Sequence, residues 1–258
     1  MHPDHLQQLA HAKYLLETPA VAARLSNALG TPIEKAVSML PKGASDVITS
    51  ATRKALDAAL KAALKGFNDQ RKAPANRLHQ LTVAASGGLG GAFGLPALAL
   101  ELPVSTTLML RSIADIARSE GEQLTEREAQ LACLAVFALG GPGESDDGAE
   151  TGYFGIRAAM AKAMSDALAH VAHHGMAQQG APAMVRFMAQ VAARFSIPVS
   201  QKVAAQSVPI IGALGGATVN ALFMEHFQKM AAGHFTVRRL ERLYGAREVQ
   251  RRYALIAI

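Results

Sequence analysis

The chain has 258 residues, 50% of them hydrophobic and 18% charged, with a single cysteine, no tryptophan and a net charge of +6. It is too apolar and too weakly charged to be disordered, and a lone Cys133 excludes a secreted domain built on disulfides. The charge is divided: residues 1–82 carry 11 Lys/Arg against 6 Asp/Glu, residues 83–225 carry 8 against 12, and residues 226–258 carry 7 against 2.

Alanine fills 51 positions, while aromatics make up only 5%. Alanine enters a helix without side-chain entropy cost and strand formers are scarce, so the expected fold is all-α, a single compact multi-helix domain. The N-terminus (Met1, His2, Pro3, Asp4, His5) lacks the basic region and apolar run of a secretion signal, which implies a cytoplasmic chain. Thr31, Pro32 and Glu34 supply an N-cap, a first-turn proline and a capping-box acid for a helix toward Met39. Ser45 or Asp46 opens a long amphipathic helix with Val47, Ile48, Ala51, Ala55, Leu56, Ala59, Ala63 and Leu64 inside. Arg53, Lys54, Lys61 and Lys65 fall outside, and Gly66 ends the helix. Further on, Leu108, Leu110, Ile113, Ile116 and Ala117 recur at helical spacing, Arg111 and Asp115 are placed for an i,i+4 pair, and Gly121 closes the element. Thr125-Glu-Arg-Glu128 is a second capping box, opening a helix over residues 129–139 that is apolar all round and therefore buried. Residues 140–152 form a glycine- and acid-rich loop. Residues 153–174 read as a helix closed by Gly175, and residues 182–195 as another stopped at Ile197-Pro198. The basic tail reads as a helix or pair of helices broken at Gly245.

Two stretches are free of formal charge: residues 78–100, between Arg77 and Glu101, and residues 203–224, between Lys202 and Glu225. Each matches the ~20 residues needed to span a bilayer. The first holds Gly87, Gly88, Gly90, Gly91, Gly94 and Pro96; the second holds Pro209, Gly212, Gly215 and Gly216 with Gln206, Ser207 and Asn220. Glycine and proline weaken a helix, amides resist hydrocarbon, and neither stretch is rich in Leu, Ile or Phe. Two central Gly-rich apolar helices of a soluble fold are therefore favoured over membrane spans. Both stretches follow one plan: a base, apolar glycine-rich sequence with one proline, then a glutamate. The pairs Gly87/Gly91, Gly90/Gly94 and Gly212/Gly216 each share a helix face, where small residues let two backbones approach closely. Such faces serve either a tight crossing in the core or a hairpin that leaves it to touch a membrane.

Chemistry-bearing motifs are few. Cys133 lies in apolar sequence and reads as a core residue. Ser86 lacks the nucleophile-elbow context, the glycines after it lack the third of the dinucleotide fingerprint, and there is no Walker A sequence. Asp166, His170, His173 and His174 share one broad helix face, as metal ligands would, but histidines just before Gly175 also suit the negative end of a helix dipole. No cofactor is expected. Glu101 and Glu225 each interrupt apolar sequence, and a buried acid needs a partner. With Arg111 and Asp115 they form a candidate buried polar cluster, the acids meeting each other, Arg111 or Lys229. Arg238, Arg239, Arg242, Arg247, Arg251 and Arg252, interleaved with Phe235, Tyr244 and Tyr253, form a basic surface suited to phosphate-rich partners or an ordinary amphipathic helix. No nucleic-acid module accompanies them, so an anionic membrane surface or membrane protein is the expected partner rather than nucleic acid.

Ser86-Gly-Gly-Leu-Gly-Gly-Ala-Phe-Gly-Leu-Pro96, followed by Glu101-Leu-Pro103 and Arg111-Ser-Ile-Ala-Asp-Ile-Ala117, resembles the EcsC protein family. So do residues 133–141, Glu150-Thr-Gly-Tyr153, residues 208–220 and residues 233–245. The resemblance implies a bacterial protein without an established activity. The family takes its name from a protein encoded beside an ABC transporter, which implies a membrane-linked accessory role and carries over no catalytic residues. The resulting expectation is a non-enzymatic, cytoplasmic protein, peripheral to the inner membrane or a membrane transporter and able to self-associate. Residues 1–75 would form basic amphipathic helices, and residues 76–258 an EcsC-like helical core with a basic C-terminal helix. The rival is a metal-dependent or hydrolase-like enzyme using the Asp166/His170/His173/His174 set or Glu101 and Glu225.

Overall fold

The computed structural model describes residues 1–18, 20–64, 95–139, 152–174, 182–207 and 215–257. Among these, every regular element is helical, as the alanine-rich composition requires: α1 (Pro3–Glu17), α2 (Ala20–Leu29), α3 (Ile33–Ser38), α4 (Ala44–Leu64), α5 (Leu95–Ser119), α6 (Arg127–Ala135) with a 3-10 turn (Val136–Ala138), α7 (Tyr153–His174), α8 (Pro182–Ser207), α9 (Gly215–Tyr244) and α10 (Ala246–Leu255). The boundary expected near residue 75 lies outside the described residues, as do residues 140–151 of the loop expected at 140–152 and Gly175.

The two longest helices form the centre. The 30-residue α9 packs against α1, α2, α5, α8 and α10; the 26-residue α8 packs against α3, α4, α7 and the 3-10 turn as well. Phe137, Phe195, Phe223 and Phe227 meet where these elements cross, with ring centroids 4.9–6.1 Å apart. Such tilted aromatic contacts add to the area they bury. Residues 129–134 and 136–139 are buried, as an all-apolar helix must be, and Cys133 sits among them as a free thiol whose pKa burial pushes up. On α4, Ile48, Ala51, Ala55, Leu56, Ala59 and Ala63 face inward, whereas Val47 is exposed and Leu60 takes a place in the core.

Several start and stop signals act differently from the expectation. Thr31 does not cap α3; the Ser26 hydroxyl of α2 accepts the Ile33 N–H at 2.9 Å across the turn. Helix α6 starts at Arg127, with Glu126 at its N-cap and no side-chain bond there. Pro198 does not stop its helix either, and α8 runs on to Ser207. Proline inside a helix costs about 3 kcal/mol through a lost hydrogen bond and a crowded turn. Phe195, Pro198, Val199 and Val203 are all buried, and this apolar face outweighs that local penalty. Gly121 and Gly245, at φ +87° and +83°, do end α5 and α9, a left-handed conformation that suits glycine.

Only parts of the two charge-free stretches fall among the described residues. Residues 65–94 are not described, so only residues 95–100 of the first stretch are seen, opening α5. Of the second, residues 203–207 lie at the end of α8 and residues 215–224 at the start of α9. Among the described residues, no helix is long and apolar enough to cross a membrane.

Candidate functional site

The Glu101 side chain, in the second turn of α5, is packed against the C-terminal part of α8 and the start of α9. The Lys202 ammonium donates to both of its carboxylate oxygens at 2.9 Å, and Asn220 Nδ2 donates to one of them at 3.0 Å. The Lys202 side chain is 0% exposed and lies 5.2 Å from the centroid of the Phe223 ring. Burial draws the Lys202 pKa below its ordinary value, while Glu101 favours the charged form. The acid that closes the first charge-free stretch thus pairs with the base that opens the second. Sequence reasoning singled out Glu101 and treated Lys202 only as a boundary. The signal it missed was the same one, a lone charge between Pro198-Val199 and Val203-Ala-Ala.

The other expected cluster members do not join Glu101, although Glu225 does meet Lys229, one of the partners expected for the acids. Glu225 does not meet Glu101; it pairs with Arg24 of α2 and with Lys229 at 3.0 Å. Burial raises its pKa, but the two cations outweigh that and hold the carboxyl below its ordinary value. Asp115 pairs with Arg118 at 2.7 Å rather than with Arg111, whose side chain is exposed.

Most of the basic surface is occupied by acids of the same chain. Arg238 binds Glu122 (2.9 Å) and Glu128 (3.1 Å), Arg239 binds Glu120 (2.6 Å), and Arg242 pairs with Glu122 and also donates to the Glu120 carbonyl. Arg251 and Arg252 both pair with Glu248. Asp166 lies between Lys162 and Arg186, each 3.6 Å away. The side chains of His173 and His174 lie outside those described, and among the described residues no group of three or more His, Cys, Asp or Glu is placed to hold a metal. Gly87, Gly90, Gly91, Gly94 and Gly212 also lie outside the described residues, and Gly216 falls in the first turn of α9.

A different constellation emerges around α7 and α9. Tyr153, first residue of α7, is held by Glu17 of α1, which accepts its backbone N–H at 3.0 Å and the Tyr253 hydroxyl at 2.9 Å. The Tyr153 hydroxyl accepts from Arg157 at 3.3 Å and lies 2.8 Å from His234 Nδ1. Arg157 is fixed in turn by a bidentate pair with Glu241, at 2.8 and 3.0 Å. Nδ1 is the acceptor that the described residues offer the Tyr153 hydroxyl proton, which assigns the imidazole proton to Nε2. Burial, followed by the charges of Arg157 and Arg238, pushes the His234 pKa well below its ordinary value, which keeps the ring neutral. Nε2 is buried and has no hydrogen-bond partner among the described residues.

His234, Arg157 and Arg238 line one part of a cavity of about 290 Å³. Glu128, Ala132, Ala135 and Leu139 repeat at helical spacing along one wall, and Ile156, Met160 and Met164 along the other. Small alanines opposite long methionines leave the gap, and Met adapts to whatever shape fills it. A mainly apolar slot with a few fixed polar groups is the usual form of a small-molecule site.

Fold and site together define an all-α protein whose central helix joins a buried ion-pair cluster to a mainly apolar cavity that opens to solvent. The chain belongs to the EcsC protein family, which matches residues 4–240. No curated protein and no solved structure is detectably similar to it.

Proposed function

We propose that this protein is a non-enzymatic accessory protein that docks peripherally on the anionic surface of the inner membrane, in the neighbourhood of a membrane transporter. The observation that carries the reading is on α5, where Leu100 and Val104 are 79% and 53% exposed. They lie one turn apart on a single face, Leu100 ending the charge-free stretch and Val104 just past Glu101, and Arg111 follows two turns further along that face, also exposed. An apolar patch followed by a cation matches the layering of a bilayer interface. The exposed Arg53, Lys54 and Lys61 of α4 add attraction to anionic lipid, a role the C-terminal arginines are less free to play because they face their own acids. The acids flagged by sequence as catalytic candidates hold structural ion pairs, which supports an accessory role over chemistry.

Vesicle flotation tests this. The protein is expected to float with phosphatidylglycerol vesicles at low salt and to be released as salt rises. Leu100→Ser with Val104→Ser should reduce the floated fraction several-fold at an unchanged melting temperature. A chain that stays at the bottom with anionic and zwitterionic vesicles alike, and is wholly soluble in cell fractions, overturns the reading.

A further inference from the structure

We infer that the groove between the second half of α4 and the first half of α8 holds a single-chain phospholipid with a phosphoethanolamine head, the head along the α4 rim and the acyl chain on the apolar floor. The inference rests on the membrane-docking reading for the source of the lipid, and it names the lipid that the docked protein takes up.

The floor sets the kind of ligand. Leu56 and Leu60 of α4 are buried one turn apart, as are Met184 and Met188 of α8, and these four line the bottom of the groove. Val185, 52% exposed, and the exposed Ala189 form the α8 rim, so that edge carries no charge. The opposite edge is charged: Arg53, Asp57 and Lys61 are exposed and follow one another at four-residue spacing on one face of α4. A slot that is apolar below and along one edge, and charged along the other, suits an amphiphile. Its volume of about 530 Å³ holds roughly 18 methylene-sized groups at ~30 Å³ each, which is one acyl chain rather than two. The two methionines adapt to a flexible chain.

The order of the charges selects the head. Arg53, Asp57 and Lys61 form no ion pair among the described residues, whereas Arg238, Arg239 and Arg242 are held by acids. Pairs between Asp57 and its neighbours on the rim would be exposed and weak, so a ligand that brings both charges meets little competition. One helical turn, about 5.4 Å, separates Arg53 from Asp57 along the axis. Two carbons separate the phosphate of phosphoethanolamine from its ammonium, a comparable span. The forked guanidinium of Arg53 takes the phosphate, and Asp57 takes the ammonium. Lys61 leaves the rim net positive, which favours a head that carries phosphate. A choline head has no N–H to donate to Asp57, and a glycerol head brings no cation, so both leave that acid unmatched.

Calorimetry on the full chain tests the site without vesicles. The probe is a twelve-carbon lysophosphatidylethanolamine below its micelle concentration. The lysophosphatidylcholine and lysophosphatidylglycerol of the same chain length, and free phosphoethanolamine, are the controls. The ethanolamine lipid should bind about fivefold more tightly than either lysolipid control, and phosphoethanolamine should not bind measurably. Ala189→Trp, on the exposed α8 rim, should abolish binding at an unchanged melting temperature. Asp57→Asn should remove the preference for ethanolamine and leave the choline lipid unchanged, and Arg53→Ala should weaken all three lysolipids severalfold. Leu100→Ser with Val104→Ser should change nothing, which separates the groove from the docking patch. No binding, equal binding of the three lipids, a preference that survives Asp57→Asn, or binding that survives Ala189→Trp would each overturn the inference. Flotation with phosphatidylglycerol vesicles reads docking separately. A chain that floats but fails these tests overturns the groove assignment alone, and one that binds the lysolipid without floating overturns the docking reading alone.

Discussion

Two buried residues set the pH and mutation response of the core. Lys202 and Glu101 have exchanged water for each other, and the desolvation cost of each is met only while the other is present. Lys202→Met or Glu101→Gln alone should therefore cost about 3–5 kcal/mol in a urea titration. The double variant Lys202→Met/Glu101→Leu, which leaves no orphan charge, should recover most of that loss; a purely additive double variant would show that the two do not act as a pair. His226 makes the complementary case. It is 1% exposed and neither ring nitrogen has a hydrogen-bond partner among the described residues. Burial, together with Arg24 and Lys229, pushes its pKa down to about 4 from 6.5. Between those values the unfolded chain binds a proton that the native chain refuses, so stability falls as pH drops from 6.5 towards 4. The slope is at most about 1.4 kcal/mol per pH unit for this group, and His234 adds to it in the same direction. His226→Leu should flatten the dependence by up to one proton; an unchanged slope would mean that the ring is already solvated in the native state.

At the scale of the helix, the contact that matters most among the described glycines is at Gly233. A Cβ there would lie 2.6 Å from Leu16 Cγ and 3.0 Å from the Ala12 carbonyl oxygen, so α1 and α9 approach too closely for any side chain. Gly233→Ala should cost about 1–3 kcal/mol through overpacking, measured by denaturation, whereas alanine at an open helical site normally stabilises. The principle that small residues permit close crossings was legible in the sequence, but it pointed to Gly87–Gly94 and Gly212–Gly216 because those form visible clusters. Gly233 stands alone between Ala232 and His234, and only the path of α1 gives it meaning. The same division runs through the other elements. Periodicity located the inner face of α4, the all-buried α6 and the break at Gly245, because these follow from the residues' own pattern. Pro198 and the cap of α3 were misread because their outcome depends on what packs alongside: an apolar face that carries α8 through its proline, and Ser26 arriving from another helix. The Tyr153–His234 pair was illegible for a simpler reason, since 81 positions separate its members.

The charge asymmetry of the whole chain finds an internal explanation. Its basic C-terminal part folds onto acids of the middle, Arg238, Arg239 and Arg242 onto Glu120, Glu122 and Glu128, and the basic N-terminal part contributes Arg24 to Glu225. The two ends of the chain also hold each other. Lys13 donates to the carbonyls of Tyr253 and Ile256 at 3.0 and 2.6 Å, Glu17 accepts from the Tyr253 hydroxyl, and the His5 ring lies 2.8 Å from the Tyr244 hydroxyl. The first and last helices therefore form one clasp, and Glu17 extends it to Tyr153 at the head of α7. Such coupling should make unfolding a single event. Far-UV circular dichroism reports all helices, while near-UV absorbance reports the tyrosines, two of which, Tyr153 and Tyr253, are buried in this clasp; the two curves should coincide. Removing residues 246–258 takes away Tyr253 and the acceptors of Lys13, leaving Glu17 with its Tyr153 contact alone. The shortened chain should melt several degrees lower, with the tyrosine signal of Tyr153 lost earlier than the bulk of the helix. An unchanged midpoint would show that α1 is held by α9 alone and that the clasp carries no stability.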